Sequence, residues 1–445
     1  MSTGLAMTRC VGHFTRHRYI SRGNQMNSSM AVKTTGLRKL LVDGIGPVTA
    51  ISIAQLFGTA LWFSANSTAA DLMRIWHASA ADIGWLTNAV QLGFILGTLV
   101  ISLSGAADRF RASTIFVYSA FIGAVFNLCF AWFSTGLFSG AIFRFGVGVS
   151  LAGIYPMGMK LIVGWAPNRT GQALAQLVAM LVLGTALPHA MRVMGAGFSW
   201  QLIISASSVL AVFGALVIGA LGDGPHAVVR GRAVSGKHAS TESQPSVLSA
   251  FRNRDFRAAT LGYFGHMWEV YAFWTAVPLL ISHTSLMTRY PGMSVPAMSF
   301  AVIGIGALGS LIGGALSGRM GSAKIATGAL AISGLCGLTF AIGWRELTPE
   351  AIVGLLAIWG ASVAADSPQF SALAAKACPP ALVGSALAIQ NSIGFAITVV
   401  SIAATTSLFE RVGPDATWLL VAGPVLGLAA FAFTLRGSGS AQYSK

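Results

Sequence analysis

Apolar runs of some 20 residues follow one another along this chain, about a dozen in all, each bounded by charge, glycine or proline and each long enough to cross a hydrocarbon core of about 30 Å as a helix. This feature leaves little choice of fold. Inside a bilayer every backbone N–H and C=O must be paired within the chain, and a helix does so by itself. The composition agrees: 54% of the 445 residues are hydrophobic and 9% are charged, against roughly 25% charged in a soluble domain. The chain therefore reads as an all-α membrane protein.

The runs place helices over 47–69, 83–104, 113–133, 137–159, 171–190 and 200–221, then over 258–282, 297–317, 324–344, 351–375, 383–408 and 415–435. The expected organisation is twelve transmembrane helices in two pseudo-symmetric six-helix bundles, 47–221 and 258–436. A basic tail covers 1–46, a polar linker 222–257 and a short tail 437–445. One amphipathic turn of the linker is expected before the seventh helix.

The net charge of +15 would raise the question of nucleic acid in a soluble protein, so its placement matters. With the N-terminus inside, 22 of the 28 Lys and Arg fall in cytoplasmic segments. Only Arg74, Arg192, Arg289, Arg345 and Arg411 fall opposite, and Arg144 falls within a run. This is the asymmetry of membrane topology. It predicts both termini in the cytoplasm, in a plasma membrane that we read as a bacterial inner membrane, with lipid rather than nucleic acid as the partner. The acid-poor start before Asp43 fits either a transit peptide or, as we prefer, a basic tail or an over-extended start with Met26 or Met30 as the initiator. Leu40 to Val42 is too short for a secretory signal.

The four cysteines form no C-x-x-C pair, and neither G-x-x-x-x-G-K-[ST], H-E-x-x-H nor G-x-S-x-G occurs. No cofactor, no metal and no enzymatic activity are expected.

Two loop stretches at equivalent places in the two halves, SGAADRFRA (104–112) and GALSGRMGS (314–322), resemble the repeated motif G-x-L-A-D-R-x-G-R of the major facilitator superfamily. In the first, Asp108 and Arg109 stand in the charged pair, while Ser104 and Arg111 replace glycines. In the second, Gly314, Arg319 and Gly321 fit, and Gly318 stands in the acidic position. Arg144 with Gly148 resembles the R-x-x-x-G of the fourth helix. The resemblance spans roughly residues 47–436 and implies a secondary transporter in which Asp108, Arg109 and Arg319 latch a gate. WFSANST (62–68) and GYFGHMWEVYAFW (262–274) loosely resemble cyanate- and nitrate-type permeases, although helices 2 and 8 lack that family's nitrate-binding arginines. The drug-antiporter signature of helix 5 survives in GTALPHAM (184–191) only as a glycine and a later proline.

Three charged residues, Arg144, Glu269 and Asp366, fall clearly inside the runs. Each costs roughly 2.5–3.5 kcal/mol at bilayer centre unless paired, hydrated or protonated. In a helix, Gly262, His266, Glu269 and Phe273 lie within about 60° of one another, so His266 and Glu269 are expected to exchange a transported proton, with Asp366 as a second coupling group. The competing reading pairs Glu269 with Arg144 across the two halves. Trp268, Tyr271 and Phe264 project oppositely and read as packing or lipid contacts, with the gripping of an organic substrate in a wide cavity as the alternative. Pro368 obstructs the tenth helix beside Asp366, and Trp359, Ser362, Asp366 and Phe370 share its face.

Gln55, Thr59, Trp62 and Asn66 form a polar stripe that either lines a cavity or bonds neighbouring helices. Asn88, Gln91, Gln390 and Asn391 are similar candidates, and Tyr155 aligns with Arg144 and Gly148. By the resemblance, Arg144 holds an anion or tunes an acid. The expected function is alternating-access transport of a small solute, an organic anion or polar metabolite, coupled to protons and carried out by a monomer. A drug exporter and a non-transporting sensor are the alternatives.

Overall fold

The computed structural model describes residues 36–227, 247–378 and 382–436. Most of the two tails and the middle of the linker lie outside the described residues. Those that are described are helical, with no strand among them.

The first half contains α1 (Gly36–Gly44), α2 (Pro47–Thr59), α3 (Ala69–Trp76), α4 (Ala80–Leu103), α5 (Ala106–Arg109), α6 (Ala112–Phe133), α7 (Leu137–Leu151), α8 (Tyr155–Trp165), α9 (Thr170–Met194) and α10 (Trp200–Leu221). The second contains α11 (Arg254–Ser282), α12 (Leu286–Arg289), α13 (Val295–Met320), α14 (Ser322–Gly343), α15 (Pro349–Ala365), α16 (Ser367–Ala377), α17 (Val383–Val412) and α18 (Trp418–Arg436). Among the described residues nine stretches are long and apolar enough to cross a bilayer, ten if α1 and α2, bent by 105°, count as one. One of these, Ala386–Leu435, holds both α17 and α18.

Three expected helices are broken. The first run turns through 60–68 before resuming as α3. The fourth parts at Ala152–Ile154 ahead of Pro156, and the tenth parts at Asp366, where Pro368 permits a new helix start but no continuation. Elsewhere side chains set the starts. Ser79 and Asp82 form a reciprocal capping box on α4, and Asn253 accepts from Asp255 N and Phe256 N at the start of α11. The turn expected ahead of the seventh helix is a 3₁₀ segment, Val247–Arg252.

Elements up to Leu221 pack mainly on one another, as do those from Arg254 onward. The halves meet chiefly where α9 lies on α13 and α4 lies on α17. In both halves glycines make close helix crossings. A Cβ on Gly93 of α4 would stand 2.1 Å from Phe145 O, and one on Gly148 of α7 would stand 2.0 Å from Val90 O. Gly309 of α13 and Gly360 of α15 repeat the device, 1.9 Å from Ala361 O and from Val302 O. Small residues let backbones approach closely where lipid supplies no hydrophobic drive. Gly148→Ala is therefore expected to cost about 1–3 kcal/mol by overpacking, read as a lower melting temperature in detergent. Gly354→Ala, whose Cβ would meet nothing within 4 Å, is expected to leave it unchanged or slightly raised.

Candidate functional site

Arg144 is fully buried inside the first half. Its Nη1 donates to Leu61 O at 3.0 Å, Ser64 Oγ at 3.0 Å and Asn127 Oδ1 at 3.2 Å, its Nη2 donates to Trp62 O, and its guanidinium lies 5.6 Å from the Phe130 ring centroid. The acceptors exist because the backbone leaves its helix after Thr59, freeing carbonyls that a continuous helix would consume. No carboxylate is among these partners.

Glu269 is equally buried, and its hydrogen-bond partners belong to the second half. Trp359 Nε1 donates to its Oε1 at 2.7 Å, and the Ser333 hydroxyl stands 2.8 Å from its Oε2 and 3.0 Å from Leu330 O. That hydroxyl has one proton to give. It can donate to an ionised Glu269, or to Leu330 O while accepting from a protonated one, so the network closes in either state. Phe273 stacks on Trp359 at 4.4 Å.

His266 meets Asp366 rather than Glu269. Its Nδ1 lies 2.8 Å from Asp366 Oδ1, with 4% and 0% of the two side chains exposed. The approach is close but off the donor direction, and neither Asp366 oxygen has an aligned hydrogen bond among the described residues. Asp366 sits in the break between α15 and α16.

Between the halves lies a cavity of about 40 Å³, walled by Tyr155 and Val178 of the first half and by Tyr263, His266, Tyr271, Trp274, Ser367 and Phe395 of the second. Tyr271 lies against Trp274 at 5.2 Å and Phe395 at 5.3 Å, and Trp62 closes over both Tyr271 and Phe395 at 5.5 and 5.7 Å. The space has room for a few waters.

One side of this cavity is sealed by a seam of α4 on α17. Glu410 Oε1 accepts from Ala81 N at 2.7 Å, Asn88 Nδ2 donates to Val399 O at 3.0 Å, and Phe94 lies 4.4 Å from Phe395. Glu410 places a carboxylate on the positive end of α4, an exposed contact on the scale of about 0.3–1 kcal/mol. Glu410→Ala should raise the maleimide reactivity of a cysteine at Asn88 by about two- to fivefold, the equivalent of that energy.

The polar stripe of the first helix is wholly buried. Trp62 Nε1 donates to Gln91 Oε1 at 3.1 Å, Asn66 Nδ2 to Thr87 Oγ1 at 2.9 Å, and Thr59 Oγ1 to Gln55 O at 2.8 Å. The Gln55 amide has no partner among the described residues. Gln390 accepts from Thr260 at 3.2 Å, and Asn391 is half-buried. Arg109 and Arg319 are exposed and make no ion pair with a described residue. The side chain of Asp108 lies outside what is described. Among the described residues no three His, Cys, Asp or Glu are placed to hold a metal ion.

Tyr263, Tyr271, Trp274 and Phe395 line the cavity without having been singled out for it by the sequence. For Tyr263 and Trp274 the signal was the stripe Tyr263, Met267, Val270, Trp274 at spacing i, i+4, i+7, i+11, about 100° around the helix from the face that carries Glu269.

Two helical halves meeting over a cavity with buried charges beside it define an integral membrane protein of the transporter class, not an enzyme. The Major Facilitator Superfamily profile matches residues 51–401, and the chain belongs to that family. Over 84 residues it is 39% identical to solute carrier family 22 member 6-A of Xenopus laevis, a match spanning 19% of this chain and 15% of that protein. In fold it is similar to the proton:xylose symporter XylE bound to 6-bromo-6-deoxy-D-glucose, with a TM-score of 0.66 at 13% identity, covering 87% of this chain and 95% of that one. It is also similar to a bacterial homologue of the human lysosomal transporter Spinster in its inward-facing, occupied conformation. There the TM-score is 0.58 at 14% identity, covering 88% and 96%.

Proposed function

We propose that the chain is a proton-coupled secondary transporter of a small solute. Twelve crossing helices form two bundles, 47–221 and 258–436, which rock about the cavity between them. The reciprocal glycine crossings at Gly93 and Gly148 and at Gly309 and Gly360 support a repeated half. With the basic termini in the cytoplasm of a bacterial inner membrane, the α4–α17 seam closes the outer side. The superfamily resemblance extends to the loop motifs but not to a cyanate- or nitrate-type subfamily, for which no comparison speaks.

The observation that carries the coupling is the buried pair of Asp366 and His266, 2.8 Å apart, with His266 on the cavity wall. A lone carboxylate at this depth is costly, and a proton taken from the cavity by the pair removes the charge. Glu269, whose network closes with or without a proton, is the second coupling group. Arg144, held by carbonyls and by Ser64 and Asn127, is committed to the first half. An anionic solute would therefore need another cation.

The test is proton movement in proteoliposomes loaded with a pH-sensitive dye and challenged with small anions, cations, sugars and amphipathic compounds. At least one class should drive a pH change absent from empty liposomes. Solute uptake that runs without any pH change would overturn the coupling. Binding without uptake of any class would overturn the transport reading.

A further inference from the structure

Resting on that reading, we infer that the solute is an organic cation, taken in competition with the proton at one negative charge beside the central cavity. Three observations converge. The cavity wall is aromatic, with Tyr263, Tyr271, Trp274 and Phe395 presenting rings to the same space. Ring faces carry negative charge density and attract ammonium and guanidinium groups, most strongly once water is removed.

The second observation is the charge set. No Lys or Arg lines the cavity, and the nearest buried cation of the first half, Arg144, is enclosed by its own acceptors. Among the described residues, His266 pairs with Asp366, Tyr263 and Glu269 of α11 feel its charge, and Tyr155 of α8 interacts with Tyr263; none of these is a fixed cation. An anion brought here would face a carboxylate at low dielectric, where like charges repel strongly.

The third is Asp366 itself, wholly buried and with both oxygens lacking an aligned partner among the described residues. With His266 neutral and Asp366 ionised the site carries one negative charge. A proton on the pair or a cationic solute over the rings each brings it to zero. Both together leave a net positive charge in a dry site, so binding of one expels the other. Exchange of cation for proton follows from this balance without a further moving part. Trp274 Nε1, buried and without an acceptor among the described residues, suits an ether or carbonyl oxygen on the solute. At about 40 Å³ the space is contracted, and the halves must part to admit such a molecule.

Three probes of matched shape separate the possibilities: benzyltrimethylammonium, neopentylbenzene and phenylmethanesulfonate, with binding to the full chain in detergent read by tryptophan quenching. The cation should bind at least tenfold more tightly than the neutral isostere, and the sulfonate should not compete. Lowering the pH should weaken cation binding and leave the isostere unaffected. Tyr271→Leu, which keeps every charge, should cut the cation's advantage severalfold, and Asp366→Asn should abolish both the advantage and its pH dependence. Equal binding of cation and isostere, or tighter binding of the sulfonate, would overturn the assignment even if proteoliposomes transport. Selective cation binding without flux would instead keep the assignment and sink the transport reading. The wild-type series alone decides the charge preference should a variant fail to fold.

Discussion

Asp366→Asn is expected to abolish solute-driven proton movement, lowering its initial rate in proteoliposomes by about a hundredfold or more. Removing one member of a buried pair costs about 3–5 kcal/mol where the other is left charged, and roughly 3 kcal/mol corresponds to such a factor in rate. Here the amide keeps the shape of the side chain and removes the negative charge that proton and solute share. His266 then stands beside a neutral group, and protonating it places an uncompensated cation in a dry site. Exchange of labelled solute for unlabelled solute needs no proton and should survive better than net uptake. Glu269→Gln should have a smaller effect, because Trp359 can donate to the amide oxygen while the amide NH2 donates to Ser333 Oγ, whose own proton turns to Leu330 O. Proton flux in Asp366→Asn at the wild-type rate, at equal protein per liposome, would refute the coupling role.

Arg144→Met is expected to fail earlier, at folding. The guanidinium satisfies Leu61 O, Trp62 O, Ser64 Oγ and Asn127 Oδ1 at once, all within a region that water does not reach. Asn127 and Ser64 also bond each other at 2.8 Å, and Asn127 donates to Ile204 O and Ser208 Oγ at 3.0 Å. The arginine thus ties the unwound segment after α2 to α6, and through α6 to α10. Without the arginine Trp62 O loses its side-chain donor, and Leu61 O and Asn127 Oδ1 compete for the one Ser64 hydroxyl proton; at about 1–3 kcal/mol for each orphaned buried acceptor, the loss is about 2 kcal/mol or more against a typical reserve of about 5–15 kcal/mol. We expect a large drop in melting temperature and in monodisperse yield from detergent. Arg144→Lys should recover part of the loss, since an ammonium can serve up to three of the acceptors without the planar fork. A stable Arg144→Met protein that folds normally but loses solute binding would return this residue to the cavity.

These two residues show how far the sequence could be read. Arg144, Glu269 and Asp366 announced themselves, since charge inside an apolar run is expensive and has to be explained. Their partners did not. Helix projection set His266 beside Glu269, because both lie on one face of α11 and are three residues apart. In the folded chain that face is split: Glu269 and Phe273 point into the second half toward Trp359, while His266 stands at the border and reaches Asp366. Periodicity gives the angle between side chains on one helix, but says nothing of which neighbouring helix fills each direction. The cross-half pairing of Glu269 with Arg144 fails for the same reason, as each residue finds its partners within its own half.

What the sequence determined by itself is the class of structure. Run length and a near absence of charge force helices, the distribution of Lys and Arg gives an expected orientation, and the paired loop motifs and Pro368 supply a family and a break beside Asp366. Those are properties of one segment at a time or of its ends, where local rules are sufficient. The tertiary structure alone decided that Arg144 is bonded by carbonyls and side chains of its own half, that Asp366 lies against His266, and that rings from α11 and α17 line one cavity. Each depends on residues tens to hundreds of positions apart, brought together by helix crossings whose geometry is set by glycines and by packing rather than by the pattern of any single helix.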